Sequence, residues 1–247
     1  MSISSRGVIL ITGASAGLGE EMARQFAALG YDLALCARRV DRLDALRAEL
    51  PVRTVVRRLD VTDDEAVFRV FREFAAEFGR IDRVVVNAGL GKGAPLGTGR
   101  FDANRATAMV NFVGALAQAE AALEIFRAQG SGHLVLISSV SALRGMRRSM
   151  TTYAATKAGI AAIAEGLRAE RIPGVDVSAV FPGYIRSEMN ERVQQRTRFM
   201  VDTRTGVRAM VAAIEKRRAT AYVPAWPWVP ISMAMRLLPL SIVRKMV

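Results

Sequence analysis

Two hydrophobic patterns alternate along the chain. Short apolar runs rich in valine, isoleucine and leucine fall at residues 8–11, 32–37, 54–59, 83–87, 133–138, 176–181 and 221–223, and helical stretches separate them. Three of the helices have legible ends: 18–29 stops at Gly30, 63–78 opens on acidic residues and stops at Gly79, and 150–172 stops at Pro173-Gly174. Strands that alternate with helices predict an α/β fold, a doubly wound, seven-stranded parallel sheet with helices on both faces. No internal repeat or low-complexity tract interrupts the pattern.

Length and composition narrow the picture. The 247 residues suffice for one sizeable core, and with no Pro/Gly/Ser-rich linker they read as a single domain spanning 1–247. The one cysteine, Cys36, lies inside an apolar run, which excludes an internal disulfide and fits a reducing, cytoplasmic setting. The one histidine, His133, stands at the mouth of a strand; without a second, neither a Cys/His metal cluster nor the usual zinc ligand set can be assembled. No Gly-x-Ser-x-Gly nucleophile turn is present.

The formal charge of +12 is almost entirely arginine, since the lysines are only Lys92, Lys157, Lys216 and Lys245. Arg24, Arg47, Arg72, Arg127, Arg168 and Arg208 fall on separate predicted helices, so the surplus reads as a solvated surface and no nucleic-acid partner is expected. The first residues lead straight into a strand with no signal-peptide pattern, and the apolar runs are too short to span a bilayer.

Two motifs carry chemistry. Gly13, Gly17 and Gly19 lie where the first strand hands over to a helix, so backbone amides and the positive helix end can face a pyrophosphate with no Cβ in the way. No Gly-Lys-Ser/Thr follows, which excludes a Walker loop. Far downstream, Tyr153 and Lys157 are four residues apart, a step that puts phenol and ammonium on one helix face. A lysine ammonium about 5 Å away would lower a tyrosine pKa by roughly two units at an effective dielectric near 20, towards the range useful for general acid–base catalysis.

The spacing Gly-x-x-x-Gly-x-Gly together with Tyr-x-x-x-Lys resembles the short-chain dehydrogenase/reductase family in its compact single-domain branch. The resemblance covers almost the whole chain and includes Asp60-Val61, Asn87-Ala88-Gly89, Asn111, Ile137-Ser138-Ser139 and Pro182-Gly183 in the family's order. It implies a Rossmann-type sheet and a nicotinamide cofactor cradled by the turn that includes Ser15 and Leu18. Asp60 and Val61 would sit by the adenine, Asn87, Ala88 and Gly89 would line the cofactor, and Pro182, Gly183 and Ile185 would border the nicotinamide. It further implies that Tyr153 donates a proton to the substrate oxygen and that Lys157 also binds the nicotinamide ribose. Ser139 would polarise that oxygen, and Asn111 would distort its helix and hold a water in the proton relay. Tyr153 follows Ser139 by fourteen positions, one more than most close relatives would show, and Ser138 and Ser141 compete for the role.

After the second strand the chain carries Ala37-Arg38-Arg39 where an acidic residue would select an unphosphorylated ribose. A guanidinium on a 2′-phosphate predicts NADP(H) over NAD(H), chiefly through Arg38 with Arg39 beside it. The resulting expectation is an NADP(H)-dependent oxidoreductase acting on a carbonyl or secondary alcohol, with epimerisation, dehydration or non-catalytic cofactor sensing on the same scaffold as alternatives. By the same resemblance a substrate lid falls at about 184–200, with a helix in it, and the protein forms a homodimer or homotetramer. The tail, 224–247, holds both tryptophans in a proline-rich stretch and then turns apolar with Arg236, Arg244 and Lys245 interspersed. Subunit packing, closure of an apolar pocket for a steroid, fatty-acyl or xenobiotic ketone, and peripheral membrane contact are all open to it.

Overall fold

A computed structural model describes residues 5–91, 93–189 and 199–246. Seven strands form one parallel sheet: β1 (Val8–Thr12), β2 (Asp32–Ala37), β3 (Thr54–Arg58), β4 (Arg83–Val86), β5 (Gly132–Ile137), β6 (Val175–Pro182) and β7 (Thr220–Val223). Their spatial order is β3-β2-β1-β4-β5-β6-β7, with every neighbouring pair parallel. Each expected strand is present to within a residue at either end.

Successive side chains of a strand point to opposite faces, and here both faces are buried. On one face Ile9, Ile11, Leu33, Leu35, Val85 and Val135 pack beneath α1 (Gly17–Ala28), α2 (Val40–Glu49) and α7 (Thr203–Glu215). On the other, Leu10, Ala34, Cys36, Val84, Leu134 and Leu136 meet α3 (Asp64–Phe78), α5 (Gly114–Gln129) and α6 (Met150–Glu170). The α3 sequence shows why it docks as it does. Val67, Val70, Phe71 and Phe74 repeat at three- and four-residue steps and are buried as one stripe. The Asp63 carboxylate accepts from the Ala66 amide at 3.0 Å to cap its start, and Gly79 ends it at φ 80°.

The chain from Phe101 to Gln129 is continuously helical. It comprises α4 (Phe101–Ala108), a π-helical turn (Met109–Val113) and α5. By length and composition this helix could cross a membrane, contrary to the expectation from the apolar runs, but half of its apolar window is buried inside the protein. The tail, expected without assigned structure, forms α8 (Ala225–Leu237) and α9 (Leu240–Met246). Trp226 has non-helical backbone angles, so Pro227 opens the regular turns of α8, where a missing N–H costs least, while Pro230 lies inside the helix.

In a parallel sheet all the strand C-termini share one edge, and the order reverses between β1 and β4, the switch point where doubly wound sheets open a crevice. The opposite edge holds a buried polar cluster that includes His133. Arg83 Nε donates to His133 Nδ1 at 3.0 Å and its Nη1 to Glu215 at 2.6 Å, while His133 Nε2 lies 2.8 Å from Ser178 Oγ. Burial, and then the Arg83 charge, push His133 down to about 3, so it is neutral and donates from Nε2. His133 is thus a core residue remote from the crevice.

Candidate active site

Beyond β1 the chain turns through Gly13 into α1. A Cβ on Gly13 would lie 2.8 Å from the Ala88 Cα, and one on Gly19 would lie 2.4 Å from the Gly13 carbonyl oxygen, so these two glycines let the turn close on itself and on the end of β4. Gly17 differs. At φ 58° its missing side chain would meet, among the described residues, only the Ser187 Cβ at 3.4 Å, leaving open backbone toward the crevice. No side chain caps α1 at Ala16, and among the described residues the first amides of the helix, including those of Gly17, Leu18 and Gly19, have no capping acceptor. An uncapped, positive helix end beside bare backbone fits the pyrophosphate of a dinucleotide.

Thr12, which the sequence reading passed over, joins the two lips of the crevice. Its buried hydroxyl accepts from the amides of Asn87 and Ala88, each at 3.0 Å, and Asn87 Nδ2 donates to the Thr12 carbonyl at 2.9 Å. The only outward sign of this was the threonine placed immediately before Gly13.

On the far side, past β2, Arg38 is exposed. Arg39 Nε donates to Ser15 Oγ at 3.3 Å, and both of its terminal nitrogens reach Glu188. Asp60 accepts from the Thr62 amide at 3.1 Å and its hydroxyl at 2.8 Å. Burial alone would raise its pKa, but those bonds and the charges of Arg38 and Arg58 hold it below the usual carboxylate range. Val61 is buried, and its carbonyl rests where a Cβ on Gly114 would stand.

The third group comes from β5, α6 and the π-helical turn. Ser139 follows β5; its hydroxyl accepts from the Ser141 amide at 3.1 Å and stands near enough to the Tyr153 phenol to lower its pKa. Ser138 is committed elsewhere, donating to the Lys157 carbonyl at 2.7 Å, so the structure brings Ser139 rather than its neighbour to the tyrosine. Lys157 lies one turn along α6, buried, with Nζ 5.9 Å from the centre of the Tyr153 ring and donating to the Ile137 carbonyl at 2.9 Å. The π-helical turn carries Asn111 inward. Its Oδ1 accepts from the Leu90 amide at 2.6 Å and its Nδ2 donates to the Leu90 carbonyl at 2.9 Å. Gly89 stands between these groups: a Cβ there would be 3.6 Å from Asn111 Oδ1 and 3.7 Å from Lys157 Nζ.

The electrostatics differ from the sequence expectation. Burial pushes the Tyr153 phenol above its ordinary pKa, the nearby Ser139 hydroxyl offsets this only in part, and Tyr184 adds to the rise. Lys157 is itself pushed down to about 8 by burial. Desolvation outweighs the charge effect that the four-residue spacing suggested, because the ammonium is buried with the phenol and bonded to a backbone carbonyl. Tyr153 is therefore a protonated acid at neutral pH in this state.

The rim follows β6. Pro182 ends that strand, and the indole of Trp228 occupies the space that a Gly183 side chain would fill. Tyr184 packs edge-on against Trp228, with ring centres 5.2 Å apart. Ile185 pairs with Val201, and its buried side chain lies against Gly206 of α7. Residues 184–189 form no helix; the rest of the expected lid, 190–198, lies outside the described residues.

Comparison with known proteins agrees with this architecture. A family model described as short chain dehydrogenase matches residues 7–198. The chain is 52% identical over 247 residues to an uncharacterized oxidoreductase of Mycobacterium tuberculosis, covering 98% of this chain and 97% of the relative. It resembles the crystal structure of an alcohol dehydrogenase from Thermococcus sibiricus complexed with 5-hydroxy-NADP, with TM-score 0.76, 28% identity and coverage of 85% of this chain and 90% of that one. A short chain dehydrogenase/reductase of Burkholderia phymatum in complex with NAD shares the fold, with TM-score 0.82 at 22% identity, covering 100% of this chain and 97% of that one. A parallel sheet with its crevice at the switch point, a glycine turn under an uncapped helix and a matching family model together make the chain an oxidoreductase of the short-chain dehydrogenase/reductase family that uses a nicotinamide cofactor.

Proposed function

We propose that the protein is an NADP(H)-dependent carbonyl reductase or alcohol dehydrogenase whose substrate is a lipophilic ketone or secondary alcohol. The observation that carries this reading is the phenol of Tyr153, beside Ser139 and one helical turn from buried Lys157 at the C-terminal edge of the sheet. The bound nicotinamide would supply or accept the hydride. Ser139 holds the substrate oxygen and polarises the carbonyl, and Tyr153, protonated at neutral pH, donates the proton that oxygen takes up. Lys157 binds the nicotinamide ribose and holds positive charge near the phenol. Asn111, fixed by both bonds to Leu90, orients the relay through which Tyr153 is reprotonated.

The rim supports the lipophilic assignment. Tyr184, Trp228 and Phe199 form an aromatic cluster in which Trp228 meets the other two edge-on, and Met189 lies over Gly91. Apolar walls around a small number of converging polar groups suit a hydrophobic substrate. Because Trp228 is buried against Gly183, the inner face of α8 closes the pocket, which favours that reading for this face of the tail. The outer face of α8 and α9 exposes Trp226, Met233, Leu237 and Leu240, apolar surface that we assign to contact with a sister subunit.

Cofactor preference follows from the exposed Arg38 and the absence of an acid after β2. A guanidinium–phosphate pair forms charge-assisted hydrogen bonds worth about 1.5–3 kcal/mol each, or roughly a tenfold to hundredfold preference. Arg38→Asp should therefore lower the NADPH-to-NADH affinity ratio by at least about tenfold, read by fluorescence titration of both cofactors. A ratio that does not move, or wild-type protein that binds NADH more tightly, would remove the NADP(H) assignment. A panel of ketones and alcohols, followed by nicotinamide absorbance, tests the substrate class.

A further inference from the structure

The segment leaving β6 returns across the glycine turn, bringing Ser187 beside Gly17, and ends in an ion pair with the opposite lip of the crevice. Glu188 Oε1 accepts from Arg39 Nη1 at 3.0 Å and its Oε2 from Arg39 Nη2 at 2.9 Å, a bidentate fork. Arg42 Nη1 joins Oε1 at 3.2 Å, and Arg39 Nε is already donated to Ser15. Every side-chain nitrogen of Arg39 thus has an acceptor, and two guanidinium groups converge on one carboxylate supplied from 149 residues downstream.

A phosphate monoester presents the same paired oxygens to an arginine fork as a carboxylate does. We propose that Glu188 is a specificity-determining residue, a tethered anion that occupies the seat of Arg39 and Arg42 and competes with the 2′-phosphate of an adenosine ligand. This rests on the reading that the loop after β2 receives that phosphate. Arg38 makes no hydrogen bond to Glu188 among the described residues and stays available, so the clasp reduces discrimination between phosphorylated and plain adenosine without abolishing it. Both partners are more than two-fifths exposed, which keeps the competition weak. An occupied seat lowers apparent affinity by the fraction of molecules in which it is free.

The test uses adenosine fragments that cannot reach the catalytic groups. Calorimetric titration of the full chain with 2′,5′-ADP and with 5′-AMP compares wild type, Glu188→Gln and Glu188→Ala. Removing the carboxylate should tighten 2′,5′-ADP by about two- to fivefold, the span set by an exposed ion pair, and leave 5′-AMP unchanged. An unaltered ratio, equal tightening of both fragments or a weaker 2′,5′-ADP complex would overturn the proposal; the last would make Glu188 a clamp instead. The NADP(H) reading stands or falls separately, on the wild-type preference and its response to Arg38→Asp. A wild type indifferent to the 2′-phosphate whose Glu188→Gln form gains discrimination would refute native NADP(H) preference and uphold the clasp. A wild type that prefers NADPH with Glu188→Gln unchanged would do the reverse.

Discussion

Replacing Tyr153 with phenylalanine should lower turnover by about 10² to 10⁴ while NADPH still binds, because the variant keeps the ring and loses only the proton that the product oxygen needs. Burial holds the phenol protonated at neutral pH, so the group is already in the form that reduction requires. Reduction should then be insensitive to pH around neutrality and fall as the medium becomes alkaline enough to deprotonate Tyr153. Oxidation should show the opposite trend, since there the phenol must first lose its proton. Parallel titration with NADPH separates this loss from unfolding or a damaged cradle. Turnover equal to wild type in the phenylalanine variant would remove Tyr153 from the chemistry.

Lys157→Met should cost about 10² or more in turnover and weaken cofactor binding, yet raise thermal stability. Lys157 sits at about 8 in the folded chain, below the ordinary lysine value that unfolding would restore, and burial is the cause. Below pH 8 both states carry the ammonium and the folded protein bears the full desolvation cost. Between about pH 8 and 10.5 the unfolded chain binds the extra proton, so the cost is relieved as pH rises through that window. Removing the charge should therefore stabilise the protein by about 1–3 kcal/mol at pH 7. The lower end is set by the lost bond to the Ile137 carbonyl. For a chain of this size that is a rise of several degrees in Tm. The difference between variant and wild type should shrink toward pH 10. A variant less stable than wild type at pH 7 would contradict the assignment of Lys157 as a residue held at a cost in stability.

What could be read from the sequence was local. The four-residue step from Tyr153 to Lys157 on α6, the glycines after β1 and the strands with both faces apolar each declare themselves within a dozen residues. The Asp63 cap and the Gly79 stop of α3 belong to the same class. Properties set by contacts distant in sequence were not legible. Tyr153 illustrates this: spacing put an ammonium nearby, but the sign of its pKa shift depends on how much water the β5 and β6 loops exclude. Thr12 carried no mark beyond its place before Gly13 of the three hydrogen bonds that tie it to Asn87 and Ala88, and Arg39 carried none of the carboxylate 149 residues away. Arg83 and Glu215 likewise meet across 132 positions to hold a neutral histidine in the core. The tail had no assigned structure for a different reason: its prolines obscure the helical pattern, yet Pro227 opens the regular turns of α8 and Pro230 is carried inside them.

The central claim is that this crevice passes a hydride between nicotinamide and a carbonyl carbon while Tyr153 passes the proton. It is tested most directly by isotope transfer. NADPH carrying deuterium at both C4 positions is incubated with a panel of lipophilic ketones, and the carbinols formed are weighed by mass spectrometry against the cofactor oxidised. One deuterium on the carbinol carbon for each NADPH consumed, in wild type and at a rate at least 10²-fold lower in Tyr153→Phe, is the result the account predicts. Product formed without label, or bound cofactor that is never oxidised in the presence of any ketone, would contradict it.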